Sequence, residues 1–316
     1  MKLLILSLVL SFNTFAAMSD FKSHFFINGK EVKGMKHMMV KPNKPILIEM
    51  YFSNPKTEEI YKDYKVMHGK YMHMVIANKD LSVFKHIHPY FDPTTGRFAI
   101  TVNMPYADPD NQDAVTTLKR PGMYMIMADV IVAGVGMRMD HAMVHVMGQS
   151  SHTQLTQDPN TDGTITKYFQ RNNETTPMYK AIFSNRTITG CSGNIVEFEI
   201  EMFQDINGKY EPILDFQPWL DEAAHSVWLS EDYMKYMHNN MPFAHMHSPF
   251  ILDDDEDDTN NRVYDHILRF NFHDQKVMIP GLQKMWIQFK HKNKVMKIPF
   301  VFDYQPEPVQ GCSGDN

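Results

Sequence analysis

The chain has 316 residues, which is enough for two domains that each bury a core. Its hydrophobic content of 43% and charged content of 22% are typical of globular proteins and exclude an intrinsically disordered chain. The net charge of −6, without a basic stripe, argues against a nucleic-acid partner. The unusual component is methionine: 26 Met accompany 16 His and only 2 Cys.

The N-terminus is predicted to be a secretory signal peptide over residues 1–17. One lysine precedes an apolar run from Leu3 to Leu10, and small residues follow at Ala16 and Ala17. The run is too short to cross a bilayer, and we expect no transmembrane span elsewhere because no segment reaches about 20 apolar residues. The prediction is a protein exported to the periplasm or secreted.

Two segments of the chain resemble each other, from His73 to Pro89 and from His225 to Pro249. In each, a histidine opens an apolar strand, a charged turn and an aromatic residue follow, and an H-x-H ends the segment before a proline. The histidines of the first copy are His73, His86 and His88, and those of the second are His225, His238, His245 and His247. By its offset from the opening histidine, His238 is predicted to be the counterpart of His86. An internal repeat of this size indicates tandem domains.

Short strand-like runs separated by Gly, Pro and Asn predict an all-β fold with two tandem β-sandwich domains. We expect the first sandwich over residues 18–150 and the second over 178–306. The polar, Asn- and Thr-rich segment 151–177 is predicted to be a linker, and 307–316 a C-terminal tail.

The stretch "MRMDHAMVHVM" has a period of two. If it is a strand, one face carries His141, Met143, His145 and Met147, and the other carries small apolar residues. Thioethers select Cu(I) and imidazoles also suit Cu(II), so this face is a candidate copper site. The alternative is an unusual piece of core, or solvated structural histidines.

A second methionine row, Met123, Met125 and Met127, precedes this strand in the same register. If the turn "AGVG" joins the two strands in a hairpin, the rows share a face. Core packing is the competing interpretation, because Met fills irregular cores readily. The run "GMKHMMV" adds His37, Met38 and Met39 to the surface compatible with Cu(I).

The repeated H-x-H elements carry the same chemistry. An opening histidine beside an H-x-H gives three imidazole nitrogens, a reasonable set for a metal ion. The predicted metal ligands are therefore His73, His86, His88, His141, Met143, His145, Met147, His225, His238, His245 and His247.

Both cysteines lie in the tetrapeptide "GCSG", and in an exported chain they predict one disulfide, Cys191–Cys312. A pair of thiolate metal ligands is the alternative. The run "DPNTDG" opens like a calcium loop, but Phe169 stands where the bidentate Glu belongs, so we expect an ordinary turn and no calcium.

The runs "NKDLSVFKHIHP" and "PGMYMIMADV" resemble exported bacterial domains of immunoglobulin-like or cupredoxin-like fold that are associated with copper and heavy-metal handling. "SEDYMKYMH" and "PGLQKMWIQF" look like a second, more diverged copy. The resemblance implies that His73, His86 and His88 act in copy one. The resemblance implies the same role for His225, His238 and His247 in copy two.

These patterns predict a non-enzymatic, exported copper-binding protein, a periplasmic metallochaperone or buffer that uses His and Met ligands. No nucleophile motif, HExxH or phosphate loop is present. The expected partner is a metal ion, with another envelope protein as a further candidate. The alternative function is a tandem immunoglobulin-like scaffold of the cell envelope that binds no metal.

Overall fold

The computed structural model describes residues 21–32, 38–103, 111, 113–114, 118–150, 152–170, 178–188, 194–235, 243–248, 266–274 and 280–305. This part of the chain is built of β-strands, with 3-10 turns at 111 and 113–114 and a short 3-10 helix at Tyr233–Lys235, so the predicted all-β class is confirmed. Within it, no helix has the length and apolar character needed to cross a bilayer.

The first sandwich has an outer sheet and an inner sheet. Its strands are β1 (Lys22–Ile27), β2 (Lys30–Val32), β3 (Met38–Val40), β4 (Ile46–Ser53), β5 (Tyr64–Lys65), β6 (Met72–Asn78), β7 (Phe84–Ile87), β8 (Tyr90–Asp92), β9 (Arg97–Val102), β10 (Gly122–Val132) and β11 (Gly136–Val146). The outer sheet has the order β2-β1-β4-β9-β8 and the inner sheet β3-β11-β10-β6-β7, with β5 paired to β10.

The second sandwich repeats this plan. Its strands are β12 (Thr164–Gln170), β13 (Met178–Ile188), β14 (Asn194–Ile206), β15 (Lys209–Pro212), β16 (Ala224–Ser230), β17 (Phe243–Ser248), β18 (Ile267–Asp274), β19 (Gly281–His291) and β20 (Lys294–Tyr304). The inner sheet has the order β17-β16-β19-β20, which matches β7-β6-β10-β11 of the first sandwich strand for strand. The outer sheet has the order β12-β13-β14-β15, with β18 paired to β14.

Three hydrophobic clusters lie between the four sheets. One fills each sandwich, and the third lies between the two inner sheets. The inner sheets therefore have a packed layer on both faces. This explains why every residue of β6 and of β16 is buried, although an ordinary sandwich strand buries only alternate residues.

The contact between the two sandwiches is apolar at its centre and polar at its rim. The rings of Phe84 and Trp286 stack with centroids 4.4 Å apart, and the Tyr233 hydroxyl donates to the Ala77 carbonyl at 3.1 Å. At the rim, the Lys284 ammonium donates to the Leu81 carbonyl at 2.8 Å. The two sandwiches are thus joined face to face, which brings matching strands of the repeat opposite each other.

The predicted linker needs a correction. Residues 164–170 of the segment 151–177 form β12, which pairs along its whole length with β13. The β-branched and aromatic residues of "TITKYF" form a strand inside a segment whose Asn and Thr content indicates a loop. In front of it, Leu155 packs into the cluster between the sandwiches.

The "DPNTDG" segment forms a turn, in which the Asn160 side-chain oxygen accepts the Gly163 N–H at 3.0 Å. The Asp158 carboxylate accepts the Val301 N–H at 2.6 Å and pairs with Lys167. The predicted signal peptide 1–17, His37, His238, both cysteines of the predicted disulfide and the tail 307–316 lie outside the described residues.

Candidate metal centre

Strands β6 and β7 bring the first-copy histidines together on the face that meets the other sandwich. The pairing places His86 opposite Val75, two residues along from His73. His73 and His86 are 2% and 1% exposed. On β6, His73 alternates with Met72 and Met74, which fill the first sandwich, because successive side chains of a strand point to opposite faces.

Strands β16 and β17 repeat this arrangement in the second sandwich. His245 lies opposite Val227, two residues along from His225, so His245 is the structural counterpart of His86. His247 likewise follows as the counterpart of His88. The register therefore corrects the predicted equivalence of His238 with His86, which an equal offset from the opening histidine suggests.

Four imidazoles meet between the sandwiches: His73, His86, His225 and His245, here called the four-histidine centre. Their ring centroids are separated by distances from 4.9 to 6.0 Å in all pairwise combinations. Four points at nearly equal mutual distances are the corners of a distorted tetrahedron. Each sandwich contributes two of them.

The opening histidines of both copies are oriented in the same way. His73 Nε2 lies 2.9 Å from the Met67 carbonyl oxygen, and His225 Nε2 lies 3.0 Å from the Trp219 carbonyl oxygen. A carbonyl only accepts hydrogen bonds, so Nε2 carries the proton in both rings and Nδ1 carries the lone pair. Met67 and Trp219 begin matching turns, closed by bridges to Lys70 and Glu222.

The other two rings are oriented from across the contact between the sandwiches. His86 Nδ1 lies 2.9 Å from Gln288 Oε1, and His245 Nδ1 lies 3.2 Å from Asp129 Oδ2. Both oxygens accept, so Nδ1 donates and Nε2 carries the lone pair. Asp129 pairs with His73 in its sheet and Gln288 pairs with His225, so the two supporting residues are counterparts too.

The consequence is a set of four nitrogen lone pairs for which the described part of the chain provides no other donor. His73 Nδ1 and His86 Nε2 face each other at 3.3 Å, and both are acceptors in the tautomers just assigned. Among the described residues, His225 Nδ1 and His245 Nε2 are buried and have no hydrogen-bond partner. Two nitrogens bound tetrahedrally to one metal, with bonds of about 2.0–2.1 Å, stand roughly 3.3 Å apart. The pair His73 and His86 already has this separation, and nitrogens of His73, His225 and His245 come within 4.8 Å of one another, so the rings are placed to hold a metal cation.

Burial keeps these imidazoles neutral. It lowers the pKa of His73 to about 4, and it lowers the pKa of His86, His225 and His245 below the ordinary value of 6.5. Burial also raises the pKa of Asp129, although electrostatic interaction with His73 and His86 lowers it in part. A neutral imidazole is the form that binds metal, so the centre is ready for a cation at neutral pH.

Three further histidines flank the centre. The His88 ring lies 4.7 Å from His86 and 5.0 Å from His73, and the nitrogens of these three rings come within 4.8 Å of one another. His247 stacks on His68 at a centroid distance of 3.5 Å, and His68 Nδ1 lies 2.7 Å from Glu222 Oε1. The predicted His88 and His247 therefore lie beside the four rings.

The predicted row of His141, Met143 and His145 lies on β11, outside the four-histidine centre. These side chains are half-buried on β11 and alternate with three buried residues, Ala142, Val144 and Val146. Met147 follows the strand and is 44% exposed. The hairpin pairs Met123 with His145, Met125 with Met143 and Met127 with His141, so the two rows share a face as predicted. Neither three-histidine group found among the described residues includes His141 or His145.

Sequence reasoning missed Asp129, Gln288 and His68. A signal for Asp129 exists, because it continues the row Met123, Met125, Met127 at the same spacing and is a carboxylate inside an otherwise apolar strand. Gln288 and His68 carry no such local signal. Their roles depend on the second sandwich lying against the first.

Comparison with known proteins identifies the family. The model of the family described as Domain of unknown function (DUF8832) matches residues 27–148 and 192–306, one segment in each sandwich. The chain belongs to this family. Both DUF8832 segments contain the opening histidine and the H-x-H of their copy, so the four-histidine centre is formed between the two matched regions.

No curated protein matches the chain. Among solved structures, dimeric latent PorU from Porphyromonas gingivalis matches with 8% sequence identity and a TM-score of 0.30. That match covers 90% of this DUF8832 chain and 34% of the PorU chain, so the chain spans about a third of PorU. A likeness this weak supports no conclusion about function.

Proposed function

We propose that this DUF8832 protein is an exported, non-enzymatic copper-binding protein that holds the ion at the four-histidine centre. The observation that carries the proposal is that nitrogens of His73, His225 and His245 come within 4.8 Å of one another, while His86 Nε2 lies 3.3 Å from His73 Nδ1. Among the described residues, His225 Nδ1 and His245 Nε2 are buried and have no hydrogen-bond partner. A lone pair buried without a partner costs free energy, and a cation bound by these nitrogens removes that cost.

The supporting residues favour a metal over a chance cluster. Metal-binding histidines characteristically donate their second N–H to a backbone carbonyl, a carboxylate or water. Three of the rings do so, to Met67, Trp219 and Asp129, and His86 donates to the side-chain oxygen of Gln288. Asp129 also places one carboxylate beside four neutral rings, which offsets part of the charge of a buried divalent ion.

Copper is the metal that we assign to the centre. Imidazole suits copper, zinc, iron and nickel; a tetrahedral set is typical of zinc, but among divalent ions copper binds a nitrogen site most tightly. Four protein ligands leave no open position, which is typical of sites that hold a metal rather than activate a substrate. Because the rings are buried between two sandwiches, release requires the sandwiches to part. This favours a buffer over a chaperone that exchanges copper quickly.

The test is metal titration of the chelator-treated full chain, followed by native mass spectrometry, with Cu(II) and Zn(II) in competition. We expect one tightly held copper ion and nitrogen couplings in the Cu(II) electron paramagnetic resonance spectrum. Replacement of His225 by Gln removes the ion, whereas His152→Gln, at an exposed histidine, leaves it bound. If the chain preferred Zn(II) to Cu(II), the centre would be a zinc site. Equal binding by the His225 variant and the wild type would overturn the site.

A further inference from the structure

A second group of soft ligands lies at the edge of the inner sheet of the first sandwich. Met123, His145 and Met39 stand on three adjacent strands, β10, β11 and β3. His145 is directly opposite Met123 in the antiparallel pair and directly opposite Met39 in the parallel pair. Residues paired in this way point to the same face of a sheet, so the three side chains form one row across it.

Two of these side chains are already in contact. His145 Nδ1 lies 3.2 Å from the sulfur of Met123. A nitrogen and a sulfur bound tetrahedrally to one ion, with bonds of about 2.0 and 2.3 Å, stand roughly 3.5 Å apart, so little movement is needed to share an ion. Met39 is 51% exposed, which gives an ion access from solvent.

The ligand types decide what this row would bind. Two thioethers and one imidazole are soft and neutral, a set that selects Cu(I) over divalent ions. A monovalent cation also suits a set without a carboxylate better than a divalent ion does. The four-histidine centre has the opposite preference, because it offers nitrogen ligands and the nearby carboxylate of Asp129.

The row and the centre are separate sites on one strand face. Met123, Met125, Met127 and Asp129 follow at intervals of two along β10, so the row lies about 20 Å from Asp129 at roughly 3.3 Å per residue. Met125 and Met127 between them are buried in the cluster between the sandwiches. A change in the row therefore leaves the imidazoles of the centre in place.

We infer that Met39, Met123 and His145 form a second metal site, specific for a soft monovalent ion of the Cu(I) type. The site is distinct from the proposed divalent centre and does not depend on it. Without metal, the contact between His145 and Met123 is a weak N–H to sulfur hydrogen bond. On binding, the ring proton moves from Nδ1 to Nε2, so that the Nδ1 lone pair and the Met123 sulfur hold the ion, and Met39 closes over it from the solvent side.

The experiment titrates the full chain with Ag(I), a redox-inert probe for Cu(I), in chloride-free buffer, and counts bound ions by native mass spectrometry. The variant is Met39→Leu with Met123→Leu, since Leu replaces Met at nearly constant volume. The control is Met137→Leu, because Met137 is 50% exposed on the same β11 but pairs with Ile131 at the far end of the hairpin.

We expect the double variant to bind one Ag(I) at least tenfold more weakly while its divalent-ion binding stays unchanged, and the control to match the wild type. Met39 is exposed, so Met39→Leu alone keeps the fold and must by itself weaken Ag(I) binding. Wild-type Ag(I) affinity in the double variant, or an equal loss in the control, would overturn the site. So would X-ray absorption of the Cu(I)-loaded protein without sulfur around the metal.

Discussion

The two halves of the four-histidine centre have the same geometry but different charge. In each sandwich an opening histidine donates to a carbonyl six residues earlier, and a second histidine is held by a residue of the other sandwich. That residue is Asp129 in one direction and Gln288 in the other. The turn beside the centre carries His68 in the first copy and Leu220 in the second. Duplication has therefore preserved the positions of the lone pairs, while the carboxylate that holds a ring of the other copy comes from the first sandwich.

The largest effect is expected from removing one ring from either half. His73→Gln and His225→Gln should each abolish tight binding of the single divalent ion, because the two halves share one centre. Native mass spectrometry of the metal-loaded chain measures this directly. If each variant instead kept half of the metal, the sandwiches would hold separate ions and the shared centre would be wrong.

Acid should destabilise the metal-free protein strongly. The pKa of His73 falls from 6.5 to about 4 on folding, so the unfolded chain takes up the proton first. Stability is full above pH 6.5 and is lost as pH falls towards 4, by about 3 kcal/mol from this ring alone. Urea unfolding of the chelator-treated protein between pH 7.5 and 4.5 measures the loss. A flat profile would show that the rings are hydrated in the metal-free protein.

The charge difference between the halves predicts unequal effects of their supporting residues. Asp129→Leu should weaken divalent-metal binding toward the upper end of the 10–100-fold range typical of such residues, because it removes both the orientation of His245 and a compensating charge. Gln288→Leu removes only the orientation of His86. It should therefore weaken divalent-metal binding by about tenfold, the lower end of that range. Competition titrations compare the two variants, and equal losses would mean that the carboxylate acts only by orientation.

The smallest effect is expected from making the flanking turns alike. His68→Leu gives the first copy the residue of the second and removes the ring that stacks on His247. Such a contact is worth about 1 kcal/mol of stability, so thermal unfolding should shift by a few degrees while metal affinity stays within a few-fold. Loss of the metal in this variant would make His68 a ligand.

His245 illustrates how far sequence reasoning reaches. The H-x-H of each copy is visible as a pattern, but equal spacing pairs His86 with His238, whereas the strand register pairs it with His245. Spacing fails because the second copy has a longer connection between β16 and β17, and loop length does not change which residues face each other across two strands. The register follows the opposed pairs Ala77 with Phe84 and Leu229 with Phe243, which both copies share.

The sequence by itself determined the all-β class, the internal repeat and the common face of the methionine and histidine rows, because period-two alternation is a local property of a strand. It also supplied six of the histidines around the centre. Only the tertiary structure decided that the two H-x-H elements form one centre, and that Asp129 and Gln288 support it from opposite sides. These contacts join residues more than one hundred positions apart, and they form because the inner sheets are apolar on both faces and can bury the second face only against each other.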